Sequence, residues 1–412
     1  MSKSIWVYAD WFATQPPELV GRLEVDLVRG SEVYRFAYAQ AWLDSPLAVQ
    51  IDPELQLFSG DQFNNDARNF RVFLDSCPDR WGRLLMQRRE AVVARQEGRR
   101  LAKLNESDYL LGVHDTFRMG GLRFKLQEDG PFLDNHQQLA APPLSSLREL
   151  EFAVSQIELQ PDLDSPDYLK WLYMLVSPGS SLGGARPKAC VMDGDDLWLA
   201  KFPSRYDDYD IAAWEYLLYR MAVDAGIEMA PCRLQRFNSP HHTFLTQRFD
   251  RVGSLRRHFS SAMTQLGYYD GDAGASYLEL AQFLIEQGAN TEQDLHQLWR
   301  RMVFNILVSN ADDHLRNHGF LLAENNSGWR LSPAYDINIS LGAAGLHLNV
   351  DEYSSALDLA LALDVSPYFQ LSPSEARQIL EQLQKVTRRW HHYANEIGIH
   401  RQEQQLIASA IM

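Results

Sequence analysis

Apolar and polar positions alternate at the start of the chain. Val20-Gly-Arg-Leu-Glu-Val-Asp-Leu-Val28 has period two, and Glu32-Val-Tyr-Arg-Phe-Ala-Tyr38 resumes it after a turn at Arg29-Gly-Ser31. Residues 5 to 60 are therefore expected mainly as strands. The period then lengthens. A helix is expected over about 79 to 96, with Pro78-Asp79 as its start signal, and another from near Asn105 with Asn105 or Ser107 as cap. Arg118 to Lys125 returns to strand, and Pro142-Pro143 leads to a helix at about 145 to 159. Lys188 to Met192, a turn at Asp193-Gly-Asp-Asp196 and Leu197 to Phe202 predict a hairpin. A helix follows over about 208 to 225, stopped by Gly226. Cys232 to Phe237 and Thr243 to Phe249 predict a second hairpin.

Beyond Asp250 the periodicity is mostly helical. Residues 276 to 287 and 291 to 309 are amphipathic. Ser372-Pro-Ser-Glu375 reads as a capping box opening a long helix to about 396, and 401 to 411 as a last helix. One hairpin interrupts, Gly319 to Ala323 and Trp329 onward, around Glu324-Asn-Asn-Ser-Gly328. The expected organisation is a β-rich segment over 1–140, a mixed segment over 141–250 and a helical one over 251–412.

Composition narrows the class. At 412 residues and 45% hydrophobic content, several domains can each bury a core. No apolar run of about 18 residues occurs, so no membrane partner is expected. The first residues carry no signal-peptide pattern. Cys77, Cys190 and Cys232 lie far apart and form neither a metal motif nor a disulfide framework, which suits a cytoplasmic protein. A net charge of −15 argues against broad nucleic-acid binding, although a local basic patch such as Arg251 to Arg257 would escape that argument.

Candidate chemistry concentrates in Asn310-Ala-Asp-Asp-His-Leu-Arg-Asn317, with Asp336 one hairpin later. An Asp followed five residues on by Asn, and then by a hairpin to another Asp, is how kinase-type phosphoryl-transfer sites are laid out. A plain polar turn would use the same residue types. Ser177-Pro-Gly-Ser-Ser-Leu-Gly-Gly-Ala-Arg-Pro-Lys188 offers backbone that could approach phosphates, or simply a flexible loop. Period two puts Lys201 in line with Leu197 and Leu199, so it either snorkels or points toward an anion. Glu215 falls on the stripe of Ile211, Leu218, Ala222 and Ala225. It either pairs with Lys201 or lies at the solvated edge.

Together these stretches resemble the HipA family of serine/threonine kinases, toxins of bacterial toxin–antitoxin pairs. Ser181-Leu-Gly-Gly-Ala-Arg-Pro-Lys188 is similar to its Gly-rich loop and Lys201-Phe-Pro203 to its ATP lysine segment. Gln247-Arg-Phe-Asp-Arg251 resembles its hinge, Asn310 to Asn317 its catalytic loop, and Leu331-Ser-Pro-Ala-Tyr-Asp336 its metal segment. Phe73 to Gly82 is similar to the signature of its N-terminal subdomain.

The resemblance implies an α+β, two-lobed protein-kinase-like fold with a β-rich N-terminal subdomain and a mostly helical C-terminal lobe. It implies ATP and Mg²⁺ as cofactors. Asp312 would be the catalytic base, Asn317 and Asp336 the Mg²⁺ ligands, and Lys201 the phosphate lysine. Leu182, Gly183, Gly184, Ala185, Arg186, Pro187, Lys188, Gln247, Arg248, Phe249, His314 and Tyr335 would line the nucleotide. Arg186-Pro187 departs from the Gln-Glu of other members, and Lys188 is a second candidate phosphate ligand. Ser181 would be an autophosphorylation site. The implied partners are a HipB-like DNA-binding antitoxin, through which DNA would mainly be met, and a protein substrate of the aminoacyl-tRNA synthetase kind. A small-molecule phosphotransferase and a non-catalytic co-repressor are the rival functions.

Overall fold

The computed structural model describes all residues except 1, 14, 65–67, 134–141, 160–164, 177–183, 185 and 325. The chain divides into two compact units, Met1–Tyr206 with Gln247–Ser260, and Asp207–Thr246 with Ser261–Met412.

The first unit is built on an antiparallel sheet of β1 (Lys3–Ala9), β2 (Glu18–Val28), β3 (Ser31–Tyr38), β4 (Gln62–Phe63) and β5 (Leu122–Lys125), in the order β4-β3-β2-β1-β5. Alternation delivers Val7, Leu23, Val25, Phe36 and Phe124 to its buried face. The β1–β2 register shifts between Val7 and Tyr8, opposite Gly21. A Cβ at Gly21 would lie 2.3 Å from the carbonyl oxygen of Ala37, so only glycine lets β3 close on this bulge.

Helix α1 (Arg80–Gln96) starts where Asp79 caps it, its Oδ1 accepting from Gly82 N at 2.8 Å. Helix α2 (Glu106–Leu111) starts at Asn105, whose N–H donates to Asp108 at 2.9 Å. Helices α3 (Leu147–Glu158) and α4 (Pro166–Val176) then lead to the hairpin β6 (Lys188–Asp193) and β7 (Asp196–Lys201). Phe117 packs with Cys190, Leu197 and Leu199 on one face of that hairpin.

The second unit is mostly helical. It contains α5 (Ile211–Asp224), α6 (Tyr277–Gln287), α7 (Thr291–Leu307), the hairpin β8 (Gly319–Leu322) and β9 (Trp329–Leu331), and α8 (Pro373–Thr387), α9 (Trp390–Ile397) and α10 (Arg401–Ile407). Helix α7 is the core element. Leu295, Leu298, Trp299, Met302, Val303 and Ile306 are fully buried along it, each aliphatic side chain contributing about 1.5–3 kcal/mol.

Three expectations need correction. The strand run does not reach residue 60: beyond Tyr38 the chain makes a helical turn at Gln40–Leu43 and then irregular turns. There Asp52, fully buried, accepts from Glu54 N and Val72 N, both at 2.9 Å, and so replaces a strand ladder with an Asx turn. The strand expected from Arg118 begins only at Leu122. Gly120 sits at φ 74, and buried Arg118 spends its guanidinium on the carbonyls of Ser76, Leu110 and Val113. The long C-terminal helix is two helices, α8 and α9, broken at Arg388-Arg389. Thr387 Oγ1 donates to the Gln384 and Met412 carbonyls, a back-bonding that bends helices.

Candidate active site

The second unit holds the acidic loop. Helix α7 ends at Leu307, and Ser309 takes a left-handed φ of 50 to turn the chain into it. The loop is nailed down from beneath. Tyr277 Oη donates to Asp313 Oδ2 at 2.6 Å, and the N–H groups of His347 and Leu348 donate to Oδ1 at 2.7 and 3.4 Å. Asn305 Nδ2 donates to Tyr277 Oη at 2.9 Å, and Asn310 Nδ2 to Asn305 Oδ1 at 3.1 Å. Asp313 is 1% exposed, and burial pushes its carboxyl up to about 6 despite these donors. Because Asp313 is fixed inward, its neighbour Asp312 is turned outward, its side chain 67% exposed.

The rest of the loop closes on the same spot. Asn317 Nδ2 donates to the Asp312 carbonyl at 2.7 Å, which leaves Asn317 Oδ1 buried with no hydrogen-bond partner. His314 Nε2 lies 3.7 Å from Asp312 Oδ1. Burial lowers the His314 pKa, against the pull of Asp312 and Asp336. Tyr335 Oη donates to the Arg316 carbonyl at 2.7 Å and so ties the segment after β9 to the loop. Asp336 adopts φ 56, a left-handed conformation uncommon outside glycine, and receives Asn338 Nδ2 at 3.1 Å.

Among the described residues no group of three His, Cys, Asp or Glu side chains is arranged to hold a metal. A magnesium ion suits a sparser set, one or two protein oxygens completed by waters and substrate phosphates. Asn317 Oδ1, a buried acceptor with no hydrogen-bond partner, has the chemistry for that role, as does the carboxylate of Asp336.

The first unit holds the basic residues. Lys201 and Lys188 are cross-strand partners on the β6–β7 hairpin, 8% and 1% exposed. Lys201 is thus buried on the face of Leu197 and Leu199 rather than snorkelling. Lys188 Nζ pairs with Asp79 Oδ2 and donates to the Gly184 carbonyl at 3.1 Å, so its charge is already answered within the protein. Gly184 is exposed at φ 77, Arg186 is half-buried, and the buried Pro187 accepts Phe202 N at 2.9 Å. Ser181, Leu182, Gly183 and Ala185 lie outside the described residues.

Gln247 and Phe249 are half-buried. Arg248 is buried: its N–H donates to the Leu197 carbonyl at 2.8 Å, and its guanidinium to Asp250 and the Phe117 carbonyl. Glu215, in the second unit, is 5% exposed, so it does not lie at a solvated edge.

The sequence reading passed over Tyr277 and Asn305, and took Asp79 only as a helix start. Asn305 had a signal, a lone polar residue within Phe304-Asn-Ile-Leu-Val308. Tyr277 had none.

The fold is α+β, two-lobed and protein-kinase-like, and the acidic loop and the segment after β9 carry Asp312, Asn317 and Asp336 in that order. The chain belongs to the HipA family: the model of the HipA-like C-terminal domain matches residues 180–390. In fold it is similar to a Shewanella oneidensis structure described as the toxin–antitoxin system HipA, HipB and operator DNA complex. The two share 17% identity at a TM-score of 0.65, over 98% of this chain and 94% of that one. A "Putative kinase" of Haemophilus influenzae is 25% identical over 38% of this chain and 52% of its own length. "Putative kinase Y4mE" of Sinorhizobium fredii is 25% identical over 34% and 33%. The chain thus spans about half the length of the first of these relatives and a third of the second. Among the described residues no helix is long and apolar enough to cross a membrane.

Proposed function

We propose that this protein is an ATP-dependent serine/threonine protein kinase acting as the toxin of a toxin–antitoxin pair. The observation that carries the reading is the split between two adjacent acids. Asp313 is buried under three donors, while Asp312 is exposed beside an Asn317 whose oxygen has no partner.

In this reading Asp312 orients the attacking hydroxyl and accepts its proton, a role that needs a carboxylate free to meet substrate. Asn317 Oδ1 and Asp336 would hold Mg²⁺, which supplies charge neutralisation for the phosphates. Lys201 binds those phosphates, and its pairing with Glu215 belongs to the same proposal, tested by a double-mutant cycle. The Gly-rich segment carries Ser181 as an autophosphorylation site. Intact-mass and peptide mass spectrometry after incubation with Mg-ATP should find one phosphate there, absent from Asp312→Asn. The HipA of Shewanella is described together with HipB and operator DNA. We extend a HipB-like antitoxin partner, a cytoplasmic setting and a synthetase-type protein substrate to this chain on family likeness.

The test is transfer of labelled phosphate from ATP to lysate protein, beside a small-molecule panel. Asp312→Asn should cut turnover by about 10²–10⁴-fold, the range for losing a positioned general base. Asp336→Asn should abolish turnover and weaken Mg-dependent ATP binding in calorimetry. Asp313→Asn should keep most turnover per folded molecule and lower the melting temperature. Equal loss in Asp312→Asn and Asp313→Asn would overturn the assignment of the base. Label found solely on small molecules would overturn the protein-kinase reading.

A further inference from the structure

We infer that Asp79 is a positioning residue for the phosphate-binding segment, acting through Lys188; the inference rests on the kinase reading. Lys188 and Lys201 stand directly opposite each other on antiparallel strands, so their side chains leave the same face of the hairpin. Both are almost fully buried. Two like charges there repel, and neither can be screened well by water. Asp79 resolves the conflict for one of them. Its Oδ2 takes the Lys188 ammonium at 2.5 Å, with the two side chains 2% and 1% exposed.

The carboxylate is itself held in place. Oδ1 caps α1 through Gly82 N, and the helix N-terminus favours the negative charge. The ammonium then reaches the Gly184 carbonyl, at the exit of the Gly-rich segment. Asp79, Lys188 and Gly184 therefore form one chain of contacts from helix α1 of the N-terminal β-rich part to the backbone expected to approach phosphate. Two further contacts run in parallel: Phe117 packs into the hairpin, and Met192 N donates to the Pro142 carbonyl at 3.0 Å. Lys188 is thus assigned to holding the loop exit and Lys201 to the phosphates, in place of two interchangeable phosphate lysines.

The substitutions separate these roles. Asp79→Asn keeps a side chain that caps helices as well as aspartate does, but removes the charge facing Lys188. Since an unpaired buried lysine can itself prevent folding, the neutral pair Asp79→Asn/Lys188→Met is made beside the single variants. Calorimetry with Mg-ATP, steady-state turnover, and hydrogen exchange over residues 184–193 are measured on the full chain. The folded double variant should exchange faster over 184–193. Its KM and Kd for Mg-ATP should rise about tenfold with kcat nearly unchanged, the pattern of binding lost equally from ground and transition states.

Unchanged exchange and unchanged nucleotide affinity in the double variant would overturn the inference, leaving Asp79 a helix cap. Weak binding in Lys188→Met together with normal binding in Asp79→Asn would also overturn it and make Lys188 a phosphate ligand. If wild type binds no nucleotide, the kinase reading fails, and hydrogen exchange alone still decides whether the pair holds the segment.

Discussion

Asp312 and Asp313 are the same residue type one position apart, and their surroundings give them opposite exposures. The five-residue interval to Asn317 was readable in the sequence, as was the hairpin leading to Asp336. What singles out Asp312 was not, because Tyr277, His347 and Leu348 come from distant stretches and meet Asp313 only after folding. The same holds for Asp250. In sequence it is one residue of a hinge-like motif; in the structure it is fully buried, receiving Gly120 N at 2.8 Å and the guanidiniums of Arg248 and Arg251 at 2.6 Å. Burial works against its charge, yet the two arginines win and hold the carboxyl at about 2. A carboxyl lower in the folded than in the unfolded state contributes stability that is present above the unfolded pKa of about 3.9 and lost as pH falls toward 2. Asp250→Asn should therefore be markedly less stable than wild type near pH 7. The gap in urea midpoint should narrow below about pH 4. A gap that stays constant from pH 7 to 3 would remove Asp250 as a charged anchor.

Elements were the most legible scale. Helix α7 and hairpin β8–β9 follow from their apolar periods, and three caps, Asp79, Asn105 and Ser372, stand where the sequence puts them. Breaks were harder to see, since the α8–α9 junction contains neither Gly nor Pro. The elements also do more than their periods reveal. Helix α7 presents Asp294 and Arg301, both buried, to the segment that carries Asp336. Asp294 accepts from Arg330 Nε at 2.9 Å and from Leu331 N at 3.0 Å, and Arg301 Nη2 donates to the Ser332 carbonyl at 2.5 Å. Asp294→Ala leaves the buried Leu331 N–H without its acceptor, at a cost of about 1–3 kcal/mol. We expect a lower melting temperature and faster hydrogen exchange at Leu331 and Ser332, with weaker Mg-ATP binding as Asp336 loses its support. Unchanged exchange at these two amides would show that the hairpin holds itself.

At the scale of the whole molecule, charge limits what the protein can meet. The chain carries −15, and the stretch Arg251 to Arg257 stood out in the sequence as the kind of basic patch that could still bind phosphate backbone. Folding spends most of it. Arg251 pairs with Asp250, and Arg256 with Asp115 at 3.2 Å and Asp10 at 3.4 Å, and both guanidiniums are largely buried. That leaves Arg257 as the half-exposed arginine of the stretch, its own N–H bonded to the Asp250 carbonyl. Phosphate contacts need exposed cations whose counterions can be released, and internal ion pairs release none. DNA association would then come through a basic partner, in keeping with the antitoxin we propose. The chain by itself should give no mobility shift with duplex DNA at about 1 µM protein and physiological salt, where nonspecific binding is typically no tighter than 10⁻⁶ M. A shift should appear when the proposed HipB-like antitoxin is added. A complex formed by the chain alone, with affinity falling steeply as salt rises, would mean that exposed cations elsewhere on the surface make a DNA-binding face of their own.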